Sequence, residues 1–306
     1  MCTGAMSDAE HLWTQLEQIT VWARRGQRAP HKPLLLLMAL ASVQRREPRL
    51  RPFAQIEAQL KRLLIDFGPP RRSYHPEYPF WRLQNDGDFW DIPERDALRQ
   101  RIAGRRRQGD VPRTLLRELG AQGGFSQEAH ATLTDHPEGV HQITARLLAA
   151  HFPASLHEDI LNAVGMPWVV VTRPQRDPHF REAILRIYEH RCAVCGFDGR
   201  LGSSHLGLEA AHVRWHSAGG PDHEDNGLAL CVFHHKALDR GALGIDPDRR
   251  VLISQEVHGS TGVDELLLRF VGQPLRVPQP GTAPVAGAHI AWHNREVFRK
   301  PARHAG

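Results

Sequence analysis

Residues Leu208 to Gly241 read LEAAHVRWHSAGGPDHEDNGLALCVFHHKALDRG, and this stretch decides the reading of the C-terminal half. Cys231 and His234 stand in it with two residues between them. Upstream, RCAVCG places Cys192 and Cys195 at the same spacing, the spacing of a zinc knuckle. Three thiolates and one imidazole complete a tetrahedral structural zinc set. A single CxxC is a weak signal, but two half-sites that bracket 35 residues form a strong one. Zinc here is expected to staple a loop with little core of its own. The fourth cysteine, Cys2, lies near the N-terminus. In a chain without an export signal, clustered thiols point to metal ligation rather than to disulfides.

With those residues in place, the region from about Arg181 to Ser254 resembles the HNH, or ββα-metal, nuclease family. The GG turn and the DRG tail are similar to a subgroup of restriction endonucleases. The resemblance implies that His212 is the general base that activates water. It makes Asn226 the residue that ties the loop to the helix, and His235 a ligand of a catalytic divalent ion, Mg2+ or Mn2+. Asp239 lies at i+4 from His235 on the expected helix and so can face the same ion. A neutral imidazole takes a proton from water near neutral pH. A divalent ion neutralises charge building on the phosphate. The family's reaction leaves a 5′-phosphate and a 3′-hydroxyl. Ala211 departs from the family, which often carries Asp or His there as a second ligand. Asp239, then Glu209, are the substitutes, with His216 and His234 as further options. His293, in AWHN, either approaches the site or packs.

Working outward, the first half reads as mainly helical. Apolar periodicity predicts helices over Ser7–Arg25, the run after Pro33, and Phe53–Phe67. The Pro- and aromatic-rich GPPRRSYHPEYPFWRL reads as an ordered loop leading into a strand, with NDGD as a turn and FWDI as the return strand. Further helices are expected near Arg95–Ile102, Arg113–Leu119, Ser126–Leu133, Gly139–Ala150, Ser155–Val164 and Asp177–His190. QPLRVPQPGTAPVAG reads as a loose connector before a last helix near His293. A domain border falls between Gly165 and Pro174.

The pattern RAPHKPLLLLMAL, LLIDFGPP, YHPEYPFWRL and DGDFW resembles the sulfur-binding domain of type IV restriction enzymes directed at phosphorothioate-modified DNA. The domain order is similar to that of McrA-type nucleases. A non-bridging sulfur is larger and less hydrated than oxygen, so a shallow apolar cup favours it. The resemblance implies a cup of His75, Pro76 and Pro79, with Tyr74, Tyr78 and Phe80 shaping the loop. It makes Arg28 the anchor of the modified strand, and Lys32, Arg71 and Arg72 phosphate contacts. Without the resemblance, the loop reads as a packed turn. Arg105, Arg106 and Arg107 read as a solvated charged loop or a DNA contact.

The chain of 306 residues carries a formal charge of +5 with 20 histidines, and 41% of its residues are hydrophobic. That balance suits a polyanionic partner. No apolar run is long enough to span a bilayer, and no signal peptide is recognised, so the cytoplasm is expected. The expectation is an α+β protein of two domains. Residues 1–165 form a mainly helical phosphorothioate-DNA reader with a small sheet. Residues 166–306 form a ββα-metal HNH fold with a structural zinc. The partner is double-stranded DNA, and cutting both strands with one site per chain implies a homodimer or two successive bindings. A methylcytosine-dependent nuclease, with Tyr78, Trp81 and Trp90 as an aromatic cage, and a non-cleaving DNA-binding protein are the alternatives.

Overall fold

The structure, a computed structural model, describes residues 8–21, 26–103, 109–166 and 178–304. The chain divides into two compact units. One comprises Met1–Ala23, Ala29–His151 and Glu158–Thr172, and the other Arg24–Arg28, Phe152–His157 and Arg173–Gly306. Most of the expected border segment, and the loop with Arg105–Arg107, lie outside the described residues. Among the described residues no helix is long and apolar enough to cross a membrane.

The first unit is built on α2 (His31–Gln44), whose Leu34–Leu37, Met38, Leu40 and Ala41 are all buried. A helix apolar all round must be enclosed, and this one is. It packs against α3 (Phe53–Phe67), α4 (Glu77–Arg82), α7 (Gln127–Asp135) and α8 (Pro137–His151). Around them lie α1 (Asp8–Glu17), α5 (Arg95–Ile102), α6 (Arg113–Glu118) and α9 (Ala154–Val164). An antiparallel sheet of order β1-β3-β2 closes the unit, from Leu50–Pro52, Gln122–Phe125 and Trp90–Asp91.

Two expectations need correction here. YPFWR is α4, a helix and not a strand. Pro76 caps it and Pro79 sits in its first turn, where a missing N–H costs nothing. The strands β1 and β3 had no counterpart in the sequence reading.

The second unit opens with α10 (Pro178–Ile187) and a small hairpin, β4 (Arg200–Leu201) with β5 (Ser204–His205). Then β6 (Leu208–His212) pairs antiparallel with β7 (Gly227–Cys231), Leu208 opposite Cys231 and His212 opposite Gly227. The helix α11 (Val232–Asp239) follows directly and packs on both strands. A hairpin of β8 (Leu243–Ile245) and β9 (Val251–Ile253), a short α12 (Val263–Leu266) and α13 (Gly287–Glu296) complete it. The segment read as a loose connector is pinned instead. Leu275 N–H donates to Arg249 O, Arg276 N–H to Ala193 O and Ala286 N–H to Asp225 O. Leu275 and Val285 are buried.

Candidate metal and DNA sites

The metal cluster is assembled from two elements. Cys192 and Cys195 come from the turn after α10, while Cys231 and His234 come from the β7–α11 junction. One ligand atom from each lies within 4.8 Å of all the others. Cys195 Sγ and Cys231 Sγ are 4.0 Å apart, and His234 Nδ1 lies 3.2 Å from Cys231 Sγ and 3.6 Å from Cys192 Sγ. A tetrahedral zinc with sulfurs at about 2.3 Å separates its ligands by about 3.8 Å, so the four fit one ion. His234 Nε2–H donates to Leu266 O at 2.8 Å, which leaves Nδ1 free to bind metal. Hydrogen bonds from Cys195 and Cys231 push Cys192 toward thiolate, and Cys192 and Cys195 hold Cys231 as a thiol. Ionising all three requires a cation.

A second polar cluster lies against α11. His235 Nδ1 is 2.7 Å from Glu209 Oε2 on β6, and its Nε2 is 3.3 Å from Asp239 Oδ2. Burial disfavours the His235 cation, but Asp239 and then Glu209 outweigh it and lift its pKa to about 9. Burial likewise opposes the Asp239 carboxylate, yet His235 holds it below the usual range. Two carboxylates around one imidazole suit a divalent cation. Ligands at about 2.1 Å on adjacent octahedral corners are about 3 Å apart, so His235 Nε2 and Asp239 Oδ2 fit one ion. Glu209 then accepts the other ring proton and fixes the tautomer.

Glu209 and Ala211 point to the same face of β6, two residues apart. Ser155 Oγ, from the segment grouped with this unit, donates to Asp239 Oδ2. His293, fully buried on α13, donates from Nε2 to Leu238 O at 3.0 Å. It anchors the end of α11 and also lies near enough to Asp239 for the two to interact electrostatically.

His212 ends β6. Its Nε2 lies 2.6 Å from Asp222 Oδ1, and its ring stacks on Phe180 with centroids 4.2 Å apart. Asn226 is fully buried. Its Oδ1 accepts Arg214 N–H at 2.8 Å, while its Nδ2 donates to Arg214 O and Pro221 O. It ties the two ends of the β6–β7 loop to each other, whereas the expectation was loop to helix.

In the first unit, a cavity of about 650 Å³ is lined by His31, Lys32, Tyr78, Pro79, Arg82 and Asp110, among others. At its side, His75 stacks on Tyr78 with centroids 4.9 Å apart. The His75 ring is held by Ser73 Oγ at 3.0 Å and Glu77 Oε1 at 2.9 Å. Tyr78 also carries the Arg82 guanidinium 4.9 Å from its ring centre, and Arg82 is clamped by both oxygens of Asp110. His31 is pushed down to about 4, by burial first and then by His75 and Arg71.

Residues 9–168 match the model of the family described as "ScoMcrA-like, DNA sulfur-binding domain". The chain belongs to the ScoMcrA-like DNA sulfur-binding domain family. Residues 192–246 of this sulfur-binding-domain protein match the HNH endonuclease family. No curated protein matches the chain. Among solved structures, it is similar to the sulfur-binding domain of ScoMcrA complexed with phosphorothioated DNA. That match has 23% identity and a TM-score of 0.44, over 52% of this chain and 98% of that one. It is also similar to the type IV phosphorothioation-dependent restriction endonuclease ScoMcrA, with 20% identity and a TM-score of 0.43. There 69% of this chain and 43% of that one are covered. A third match, the modification-dependent TagI restriction endonuclease, has 32% identity and a TM-score of 0.31 over 43% and 41% of the two chains.

The residues expected to read the modified strand differ in where the fold puts them. His75, Tyr78 and Pro79 come together at the cavity, with Pro76 buried beneath them and Tyr74 half-buried nearby; Arg71 and Arg72 are exposed. Phe80 faces inward, fully buried against Phe53 and Trp90, so it shapes the loop from below and is no DNA contact. Lys32 is bound at 2.5 Å by Asp86, whose side chain is shielded from solvent, so its ammonium already has a partner. Arg28 groups with the second unit, 3.9 Å above Trp215, and donates from its backbone N–H and from Nη1 to Glu296. Trp81 and Trp90 are buried and donate to Gly109 O and Phe80 O, so they form no open cage. Arg82, Asp110 and Asp222 were missed. Only contacts remote in sequence single them out.

Proposed function

We propose that this chain is a modification-dependent DNA endonuclease, in which the first unit reads a phosphorothioate in double-stranded DNA and the second hydrolyses a nearby phosphodiester. The observation that carries it is the union in one chain of a sulfur-binding family domain, residues 9–168, with an HNH endonuclease module, residues 192–246. The aromatic and proline surface of His75, Tyr78 and Pro79 offers a weakly hydrated sulfur contact without strong donors. Arg71 and Arg72 supply backbone charge. In the second unit, His212 accepts the proton of water. Asn226 holds the loop beside it, and His235 with Asp239 would hold the divalent ion, Mg2+ or Mn2+. When bound, that ion supplies Lewis-acid stabilisation of phosphate charge. Cys192, Cys195, Cys231 and His234 would hold a structural zinc that fixes β7 and α11. Cleavage of phosphorothioated and unmodified plasmids, with Mg2+ and with Mn2+, tests the reading. Selective cutting of the modified plasmid is expected, and equal cutting of both refutes the specificity.

A further inference from the structure

The side chain of Asp239 is only 2% exposed, so its charge rests on what the protein places around it. His235 Nε2 stands 3.3 Å from Oδ2, and the Ser155 hydroxyl donates to the same oxygen. Ser155 lies in the first turn of α9, and that turn is held from within. His157 Nε2 is 3.0 Å from Phe152 O, Leu156 N–H donates to Pro153 O at 2.9 Å, and Phe152 is buried. A second grip comes from α11, where Lys236 Nζ donates to Ser155 O. Lys236 and Asp239 are three residues apart on α11 and share a face, so they take hold of Ser155 by its carbonyl and by its hydroxyl. Residues 152–157 lie inside the span matched to the sulfur-binding family, 9–168, yet group with the second unit.

We propose that Ser155 is a positioning residue for Asp239 in the candidate divalent-cation site, so that a segment of the reader's sequence completes the metal site of the nuclease unit. A carboxylate oxygen accepts at more than one lone pair. The Ser155 hydroxyl takes one and holds the carboxylate turned toward His235, which leaves another for the ion. A hydroxyl does this without adding a charge that would repel the cation. Metal-binding carboxylates depend on such partners, whose loss costs about 10- to 100-fold in affinity. The coupling is reciprocal: where the docked segment tightens Mn2+ binding, bound Mn2+ tightens the docking by the same factor. This inference rests on the reading that His235 and Asp239 hold the ion.

The test uses the full, zinc-loaded chain with Mn2+ as the probe. By calorimetry, Ser155→Ala is expected to weaken Mn2+ binding about 10-fold, while Ser155→Thr, which keeps the hydroxyl, stays within about threefold of wild type. In the wild type, Mn2+ is expected to slow hydrogen exchange at the Leu156 amide about 10-fold more than at the β8–β9 hairpin, and Ser155→Ala is expected to lose that excess. Unchanged Mn2+ affinity in Ser155→Ala overturns the proposal. So does tighter binding, which would make Ser155 a latch against the ion, or a Ser155→Thr variant as weak as Ser155→Ala. If Ser155→Ala does not fold, the wild-type exchange decides, and equal slowing at both places overturns it. Asp239→Ala tests the reading beneath. Mn2+ binding that survives Asp239→Ala defeats the metal-site reading itself. Lost binding in Asp239→Ala beside full binding in Ser155→Ala defeats only the role of Ser155.

Discussion

Glu209 and His235 are 26 residues apart in sequence, yet Oε2 of one lies 2.7 Å from Nδ1 of the other. The contact joins the first strand of the hairpin to the helix that follows it. It orients the imidazole so that its other nitrogen faces Asp239. Glu209→Ala is expected to weaken Mn2+ binding about 10- to 100-fold by calorimetry, with Glu209→Gln intermediate. Unchanged affinity would remove Glu209 from the site.

The cysteine cluster should contain one zinc per chain by elemental analysis. Stripping it with a chelator, or replacing Cys195 by Ala, is expected to unfold the second unit, because apparent binding energies of structural zinc are about 10 kcal/mol or more. A cooperative melt of the second unit unaltered by metal removal would contradict this.

Gly227 has no room for a side chain. A Cβ there would fall 2.1 Å from Ile184 Cδ1 of α10. Gly227→Ala is expected to destabilise the second unit by about 1–3 kcal/mol in urea titration, with partial relief from Ile184→Val. A neutral substitution would mean that α10 does not pack on the hairpin at this distance.

The first unit should lose stability in mild acid. His31 and His151 are both pushed from 6.5 to about 4, chiefly by burial. The folded pKa is the lower one, so the unfolded chain takes up protons first. Their contribution is therefore complete above about pH 6.5, falls as pH drops toward 4, and is flat below that. Each is worth up to about 3 kcal/mol. Hydrogen exchange of α2 and α8 amides between pH 7 and 4 measures it, and constant opening free energies would count against it.

Recognition and general DNA affinity should separate by mutation. Tyr78→Ala is expected to reduce the preference for phosphorothioated over unmodified duplex in fluorescence anisotropy. Arg71→Ala with Arg72→Ala should weaken both duplexes alike and flatten the salt dependence. Equal losses in both experiments would show that Tyr78 touches only the backbone.

Much of the fold was legible in local pattern. Phe53–Phe67 and Arg95–Ile102 form helices with the bounds that apolar periodicity set. The strand QGGF was not legible. Its glycines lower strand propensity, yet Gly124 is needed because the Arg49 carbonyl oxygen would lie 1.9 Å from any Cβ there. Spacing likewise brought Cys192, Cys195, Cys231 and His234 to one place, since two-residue gaps in a knuckle and a helix turn dictate where such side chains go.

Sequence by itself determined most of the helices and the chemistry available, because helix periodicity, metal-ligand spacing and motif order are properties of neighbours along the chain. Tertiary structure alone decided which groups pair. It matched Glu209 with His235 and Asp222 with His212, gave Lys32 to Asp86, turned Phe80 into the core and carried Arg28 to Trp215. Those contacts depend on strand register, helix packing and burial, which bring together atoms that no local spacing relates.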